Sequence, residues 1–480
     1  MLAASTTRIG SDKRGSPRVW LEGRRLEQAG FLPAARYVVG FDEATKTISL
    51  RLAANGDRLV SRRVKSGGET PVIDITNGRL LSAFDGLETL RVRFEAGAVH
   101  ITPTASDLRK VERVLKLRGR LERGEPLRTG SVSTGLGVLS LAIHQGLKDA
   151  GLASDLAFSV EIDENYQERC AAANPVWKPN TLALAMPMQE VAYDASALAA
   201  LPQVDILEAG IPCTAASLAG RAKKSLARPE DDPNVGHLAA GFLAIVAACN
   251  PAVVLVENVP AYMSSASFAI ITNQLQEWGY DVRSAILRGE DFGCLEHRDR
   301  MALVAATPGV DIDLETLAPM DPQVQTLGEV LEDVAEDDPR WSTMSYLREK
   351  EIRDQEAGKG FRMQIFDEES TRVSTIGRGY AKIRSTEPKI RHPSNPDLLR
   401  QLTPTEHARI KGIPEEMISD VPATTAHEML GQSIVTAPFR ALGARIGGAL
   451  SAWLYNRPAP RGIRRPPAVA PLSDLPLFAF

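Results

Sequence analysis

Four short apolar runs in the middle of the chain constrain the fold most: residues 156–160, 204–208, 253–257 and 301–305. Each is about five residues long, too short for a buried helix and nearly continuous in apolar character, so each reads as a strand covered on both faces. Stretches with helical periodicity, such as 138–147 and 237–248, lie between them. Strands alternating with helices predict an α/β sheet with helices on both faces. Ligands of such sheets sit at the carboxyl ends of the strands. Polar residues that follow the runs are therefore the first candidates for a site.

At 480 residues the chain exceeds what one core usually serves, so two or three domains are expected. Hydrophobic residues make up 44% and charged residues 24%, which excludes disordered and collagen-like classes. No run of about 18 apolar residues suggests a membrane span, and residues 1–15 show no apolar export core. A cytoplasmic location and no membrane partner are expected. Cys170, Cys213, Cys249 and Cys294 are widely spaced with no CxxC pair, which disfavours disulfides and a metal site.

The net charge of −4 is unevenly spread: residues 1–128 hold 24 Lys and Arg against 15 Asp and Glu, or +9, leaving −13 for the rest. A basic first third suits a polyanion partner, and a solvated basic face is the plainer reading. Within it, Gly23-Arg24-x-Leu26 is echoed by Gly78-Arg79-x-Leu81, and Val39-x-Phe41 by Val92-x-Phe94. This is an internal repeat of 53 to 55 residues. The first copy resembles AbrB-like swapped-hairpin, toxin-like modules. That resemblance implies tandem hairpins forming one DNA-binding barrel; an unrelated β-meander is the alternative. The expected organisation is a flexible arm over 1–16, a β-rich tandem-hairpin domain over 17–105 and a linker helix over 106–127. A catalytic domain over 128–306, a target-recognition region over 307–399, a C-terminal part over 400–456 completing the catalytic domain and a flexible tail over 457–480 follow.

Ser133-Thr-Gly135-Leu-Gly137 precedes the first helical stretch, where glycines let a ligand approach the backbone. A Gly-x-Gly turn is as often plain packing. The strand at 156–160 then ends in Glu161-Ile162-Asp163, an acidic residue placed to grip ribose hydroxyls. Another strand runs into Ile211-Pro212-Cys213, where a proline-fixed cysteine facing a loop suits an activated thiolate. A lone cysteine is more often a small buried hydrophobe. The strand at 253–257 ends in Glu257-Asn258-Val259, and a carboxylate after five apolar residues is costly to bury without a task. Arg298 and Arg300 share one face by period 2, with structural salt bridges as the alternative.

The order of these elements resembles the DNA cytosine-5 methyltransferase family over 128–447. Arg400-Gln-Leu-Thr-Pro-Thr-Glu406-His-Ala-Arg409-Ile-Lys-Gly-Ile-Pro414 and Leu430-Gly431-Gln432-Ser433-Ile434-Val435 continue the series. The resemblance implies a Rossmann-like S-adenosylmethionine-dependent methyltransferase sheet, a smaller target-recognition domain and double-stranded DNA as substrate. It implies that Cys213 adds to C6 of a flipped cytosine and Glu257 contacts its N3 edge. Arg298 binds the base carbonyl oxygen and Arg300 positions the catalytic loop. Ser133, Gly135, Gly137, Glu161, Ile162, Pro212 and Ser433 fall at S-adenosylmethionine contacts. The loop at 214–224 suits closure over the flipped nucleotide, and residues 353–400, with ten Lys and Arg, suit groove and phosphate contacts.

Thr214, Ala216, Glu296 and Gln432 depart from the family pattern. Ser133 stands where an aromatic residue is common, and the usual adenine-binding Asp is missing. No metal is expected, a monomer is expected, and a restriction endonuclease is the companion the resemblance suggests. The other readings are a transfer-RNA cytosine methyltransferase and a non-catalytic DNA-binding regulator.

Overall fold

Two copies of one strand–turn–hairpin pattern occupy residues 1–103. Strand β1 (Ala3–Arg8) precedes the first copy, which comprises β2 (Pro17–Glu22), a helical turn Arg24–Gln28 and the hairpin β3 (Arg36–Asp42) and β4 (Thr47–Leu52). The second comprises β5 (Gly68–Ile75), a turn Gly78–Leu81 and the hairpin β6 (Thr89–Glu95) and β7 (Ala98–Pro103). Equivalent strands pair with each other. β2 is antiparallel to β5 from Val19↔Ile75 to Glu22↔Val72, and β4 to β7 from Ala98↔Arg51 to Ile101↔Ile48. Ser49 faces His100 in that register, Oγ to Nδ1 at 3.0 Å. The two copies thus complete one core, in which Leu26 and Leu81 of the repeated motif are buried together with Leu50, Val92 and Ile101.

The sequence reads residues 1–16 as a flexible arm, but Ala3–Arg8 pairs antiparallel with β6, from Ala3↔Phe94 to Arg8↔Thr89. Its inward residues are Ala, Ser and Thr, too small and polar to show a period-2 apolar signal.

The structure, a computed structural model, describes residues 1–13, 15–65, 68–212, 228–320, 326–359, 362–384 and 386–456. It divides into two units between Leu115 and Lys116, inside helix α1 (Ala105–Glu122). The strands of the larger unit are β8 (Leu127–Val132), β9 (Ser154–Glu161), β10 (Leu182–Ala185), β11 (Ile206–Gly210), β12 (Val253–Asn258), β13 (Asp281–Arg288) and β14 (Asp299–Ala306), of which β9, β11, β12 and β14 hold the four apolar runs. They form one sheet in the order β10-β9-β8-β11-β12-β14-β13. The first five are parallel and β14 runs antiparallel to both neighbours. Strand order reverses between β8 and β11, which opens a crevice at their carboxyl ends.

Helices cover both faces. Leu207 and Ala209 of β11 join the core with Phe242 and Ile245 of α4 (Leu238–Cys249) and Ile271 of α5 (Ala266–Glu277), whereas Glu208 between them points to Ser140 of α2 (Val138–Asp149). Helix α3 (Glu164–Ala173) follows β9. The chain then leaves the sheet for a small three-stranded sheet (Gln364–Phe366, Pro388–Arg391, Leu399–Arg400) and returns through α6 (Pro404–Lys411), α7 (Ala423–Gln432) and α8 (Thr436–Asn456). α8 lies so close on α2 that a Cβ at Gly146 would sit 2.1 Å from the Arg440 carbonyl oxygen. The last described helix is therefore part of the sheet domain. No described helix is long and apolar enough to cross a membrane.

Candidate active site

The crevice is built from four strand ends. After β8 the chain turns sharply through 133–137, with Ser133 at φ 55°, Gly135 at φ 56° and Gly137 at φ 76°. Gly137 is required: a Cβ there would meet Asn174 Nδ2 at 2.5 Å and Cys170 Sγ at 2.6 Å. Asn174 donates to the carbonyls of Leu136 and Gly137, at 3.1 and 2.9 Å, and so ties the turn to the end of α3. A Cβ at Gly135 would meet nothing within 4 Å, so space lies open above the turn.

Glu161, at the end of β9, is buried, and its carboxylate accepts from Gly135 N at 2.6 Å and Asp163 N at 3.0 Å. Burial pushes its pKa up, against the hydrogen bonds from Asp163, Gly135 and Ile162. The residue assigned from sequence to a ribose thus also braces the glycine turn. Next to it Ile162 is 67% exposed, an apolar side chain with no protein cover. Ser433 ends α7 with Oγ on the Met429 carbonyl at 2.8 Å, and neighbouring Gln432 donates to the Tyr166 hydroxyl on α3 at 2.9 Å. The Gln432 departure therefore joins the C-terminal segment to the helix that follows Glu161.

Glu257, near the end of β12, stands opposite Gly210, the last residue of β11. A Cβ at Gly210 would be 3.5 Å from Glu257 Oε2 and 3.6 Å from the Ser133 carbonyl oxygen, so the ends of β8, β11 and β12 converge on this carboxylate. Its side chain is 14% exposed and pairs with Arg300 Nε at 2.9 Å. Burial raises its pKa, with Arg300 and Arg298 pulling the other way. Asn258 Nδ2 donates to the Ile211 carbonyl at 3.1 Å and fixes the backbone leading to Pro212. Sequence reading gave Asn258 no role; its signal was a buried amide after an apolar strand. Pro212 is the last described residue of this segment, and Cys213 and the loop at 214–224 lie outside the described residues, as does the tail at 457–480.

The two arginines divide their work. Arg300 contacts Glu257 directly, beyond the loop-positioning role implied by resemblance. Arg298 is buried, donates to Glu296 Oε1 at 3.3 Å and to the Gly431 carbonyl at 3.1 Å, and acts on Glu257 through charge. Of the other cysteines, Cys170 and Cys249 are buried, and burial pushes the thiols of Cys170 and Cys294 up to about 12. Neither of those two is a thiolate at neutral pH.

Two of the ten cations counted over 353–400 are internal. Arg400 is buried and forms a two-pronged pair with Glu406, both bonds 2.7 Å. Lys389 is buried, donates to the Arg384 and Glu387 carbonyls at 3.0 and 3.2 Å, and is pulled down to about 8 by burial. The other eight are exposed. No described group of His, Cys, Asp and Glu is placed to hold a metal.

The C-5 cytosine-specific DNA methylase family model matches residues 131–448. Type II methyltransferase M.NlaX of Neisseria lactamica is 33% identical over 264 residues, covering 53% of this chain and 80% of that protein. M1.ScrFI of Lactococcus lactis subsp. cremoris is 29% identical, covering 51% of this chain and 63% of that protein. Among solved structures, Entamoeba histolytica methyltransferase EhMeth aligns at TM-score 0.52 and 17% identity over 67% of this chain and 98% of its own. S. pombe Dnmt2 methyltransferase aligns at 0.50 and 18% over 66% and 96%. These two establish likeness of fold, an α/β methyltransferase sheet.

Proposed function

The chain belongs to the C-5 cytosine-specific DNA methylase family, and from that premise we propose that it methylates C5 of a cytosine in double-stranded DNA, with S-adenosylmethionine as methyl donor. The observation that carries this reading is Glu257: a mostly buried carboxylate at a strand end, held by Arg300 and opposite Gly210, which precedes Cys213 by three residues in sequence.

The residues fit the donor. Open space above Gly135, the buried Glu161 carboxylate and the bare apolar side chain of Ile162 suit a glycine-lined backbone approach, a ribose and a flat base. Ser133, Gly137, Pro212 and Ser433 complete the proposed cradle. S-adenosylmethionine when bound supplies an electrophilic methyl group.

In the proposed reaction the Cys213 thiolate forms a bond to cytosine C6, and the ring electrons move to C5, which becomes nucleophilic. Glu257, whose pKa burial raises, faces N3 in this reading and helps protonate it, which offsets the developing negative charge. After methylation at C5 a base, to which no residue is assigned, takes the C5 proton, the S–C6 bond breaks with its electrons returning to sulfur, and N3 gives its proton back to Glu257. Arg298 binds the base carbonyl oxygen. The base must leave the stack to reach the cysteine, at a cost of a few kcal/mol or so. The eight exposed cations over 353–400 are proposed DNA contacts. So is the outer sheet face of the N-terminal unit, where Arg51, Arg91 and Arg93 are exposed.

The test is expression in a host lacking cytosine methylation, with bisulfite sequencing of its genome. A recurring protected context, absent for Cys213→Ser, is expected; full conversion of every cytosine sinks the reading.

A further inference from the structure

Glu296 is fully buried in the segment entering β14, two residues before Arg298. One carboxylate oxygen, Oε1, accepts from Arg298 at 3.3 Å and from the backbone N–H of Ile376 at 3.0 Å. The other is paired with Lys411, the last residue of α6, whose side chain is equally buried. A lone buried charge in either place would be strongly unfavourable, and the opposite charge on α6 balances it.

Ile376 belongs to the insert between β14 and α6, and residues 373–376 of that insert are stitched to the Glu296 segment. Val373 N donates to the Leu295 carbonyl at 2.7 Å, and His297 N to the Val373 carbonyl at 2.9 Å. The next residue of the insert, Gly377, packs directly on α7: a Cβ at Gly431 would lie 2.4 Å from the Gly377 carbonyl. Gly431 in turn gives its carbonyl to Arg298 at 3.1 Å. Arg298 is thus gripped at two points, and each point also holds the insert at 376–377.

The geometry points to Glu296 as a positioning residue that couples seating of the insert to the orientation of Arg298, with Lys411 as the counter-charge that makes a carboxylate tenable there. Displacing 376–377 would withdraw a hydrogen-bond donor from the same oxygen that holds Arg298. An insert correctly seated on DNA therefore sets the guanidinium that the base must meet. The inference rests on the proposed role of Arg298 at the base.

The test uses the full chain, unmethylated phage lambda DNA and labelled S-adenosylmethionine. It compares Glu296→Gln, Lys411→Gln and the double variant for Tm, kcat and KM for DNA. Bisulfite reads of the same DNA give the ratio of methylation at the preferred context to contexts one base different. Both single variants should lose Tm, and the double variant should regain it because no charge is left unmatched. With Glu296→Gln, alone or in the double variant, kcat should fall at least tenfold with KM within about twofold, and the context ratio should fall. Lys411→Gln should lower kcat less than Glu296→Gln does, because Glu296, with its counter-charge gone, still keeps Oε1 for Arg298 and Ile376. If kcat and the context ratio simply follow Tm through the three variants, the pair is structural and the coupling is overturned. Arg298→Ala in the same assay separates the two layers. A fully active Arg298→Ala overturns the role of Arg298 at the base; an inactive one beside a fully active Glu296→Gln overturns only the positioning by Glu296.

Discussion

Arg300 Nε lies 2.9 Å from the Glu257 carboxylate across neighbouring antiparallel strands β12 and β14, where Glu257 is in register with Ala302. The cation reaches diagonally along the sheet to the one carboxylate that the proposed chemistry needs. Burial favours the neutral acid, and Arg300 is the largest influence opposing it.

Arg300→Gln removes that opposition, so the Glu257 pKa should rise further. The carboxyl then stays protonated to higher pH, and the limb of the single-turnover pH–rate profile that it governs should move to higher pH. Losing the Arg300 contact also frees the carboxyl to turn away from the base, so the rate at neutral pH should fall about 10- to 100-fold, at or below the low end of the roughly 10²–10⁴-fold that a whole acid–base group contributes. An unmoved profile would show the pair to be electrically silent.

Asn258→Ala deletes the donor to the Ile211 carbonyl and leaves a buried acceptor without it. The expected loss of stability is about 1–3 kcal/mol. Methyl transfer should fall further than stability alone explains, because the segment ahead of Cys213 loses its anchor. Thermal unfolding and kcat on the same preparation check this.

Gly137→Ala combines a left-handed φ of 76° with a clash against Asn174 and Cys170. Strain of about 1–3 kcal/mol is expected. The turn should relax away from its present shape and raise the Kd for S-adenosylmethionine at least tenfold by calorimetry; an unchanged Kd would place the donor elsewhere.

Glu208 is fully enclosed by the sheet and α2, and burial pushes its pKa up to about 7, opposed by the neighbouring hydroxyls of Ser131 and Ser140. Its folded pKa is above its unfolded value of 4.5, so folding favours the protonated form. That contribution is fully present below pH 4.5 and is lost as pH rises through about 7. Glu208→Gln keeps the polar contacts without ionising. Its Tm should match the parent near pH 5 and exceed it near pH 8, by stability on the order of 3 kcal/mol at most. Parallel Tm curves would refute the assignment.

Much of the sheet and part of the site could be read from local pattern. Apolar runs of about five residues became β9, β11, β12 and β14, and Glu161 and Glu257 stand at strand ends because a polar residue after an apolar run marks where a strand leaves the core. The repeat Gly23-Arg24-x-Leu26 and Gly78-Arg79-x-Leu81 likewise marked two copies of one unit. Edge strands were harder. β13 alternates with mostly exposed residues, and β1 is built of Ala, Ser and Thr, so neither carries a strong apolar signal.

By itself the sequence determined the α/β sheet and put Glu161 and Glu257 at the ends of its strands, because these depend on residue type and short-range period. Tertiary structure alone decided the partners: Arg300 rather than Arg298 on Glu257, Lys411 opposite Glu296, and Lys389 and Arg400 turned inward. A charge looks the same in sequence whether it faces water, DNA or another charge. Only strand register and the return of α6 and α7 to the sheet fix which, since a buried ion pair exists where distant segments meet within a few ångströms.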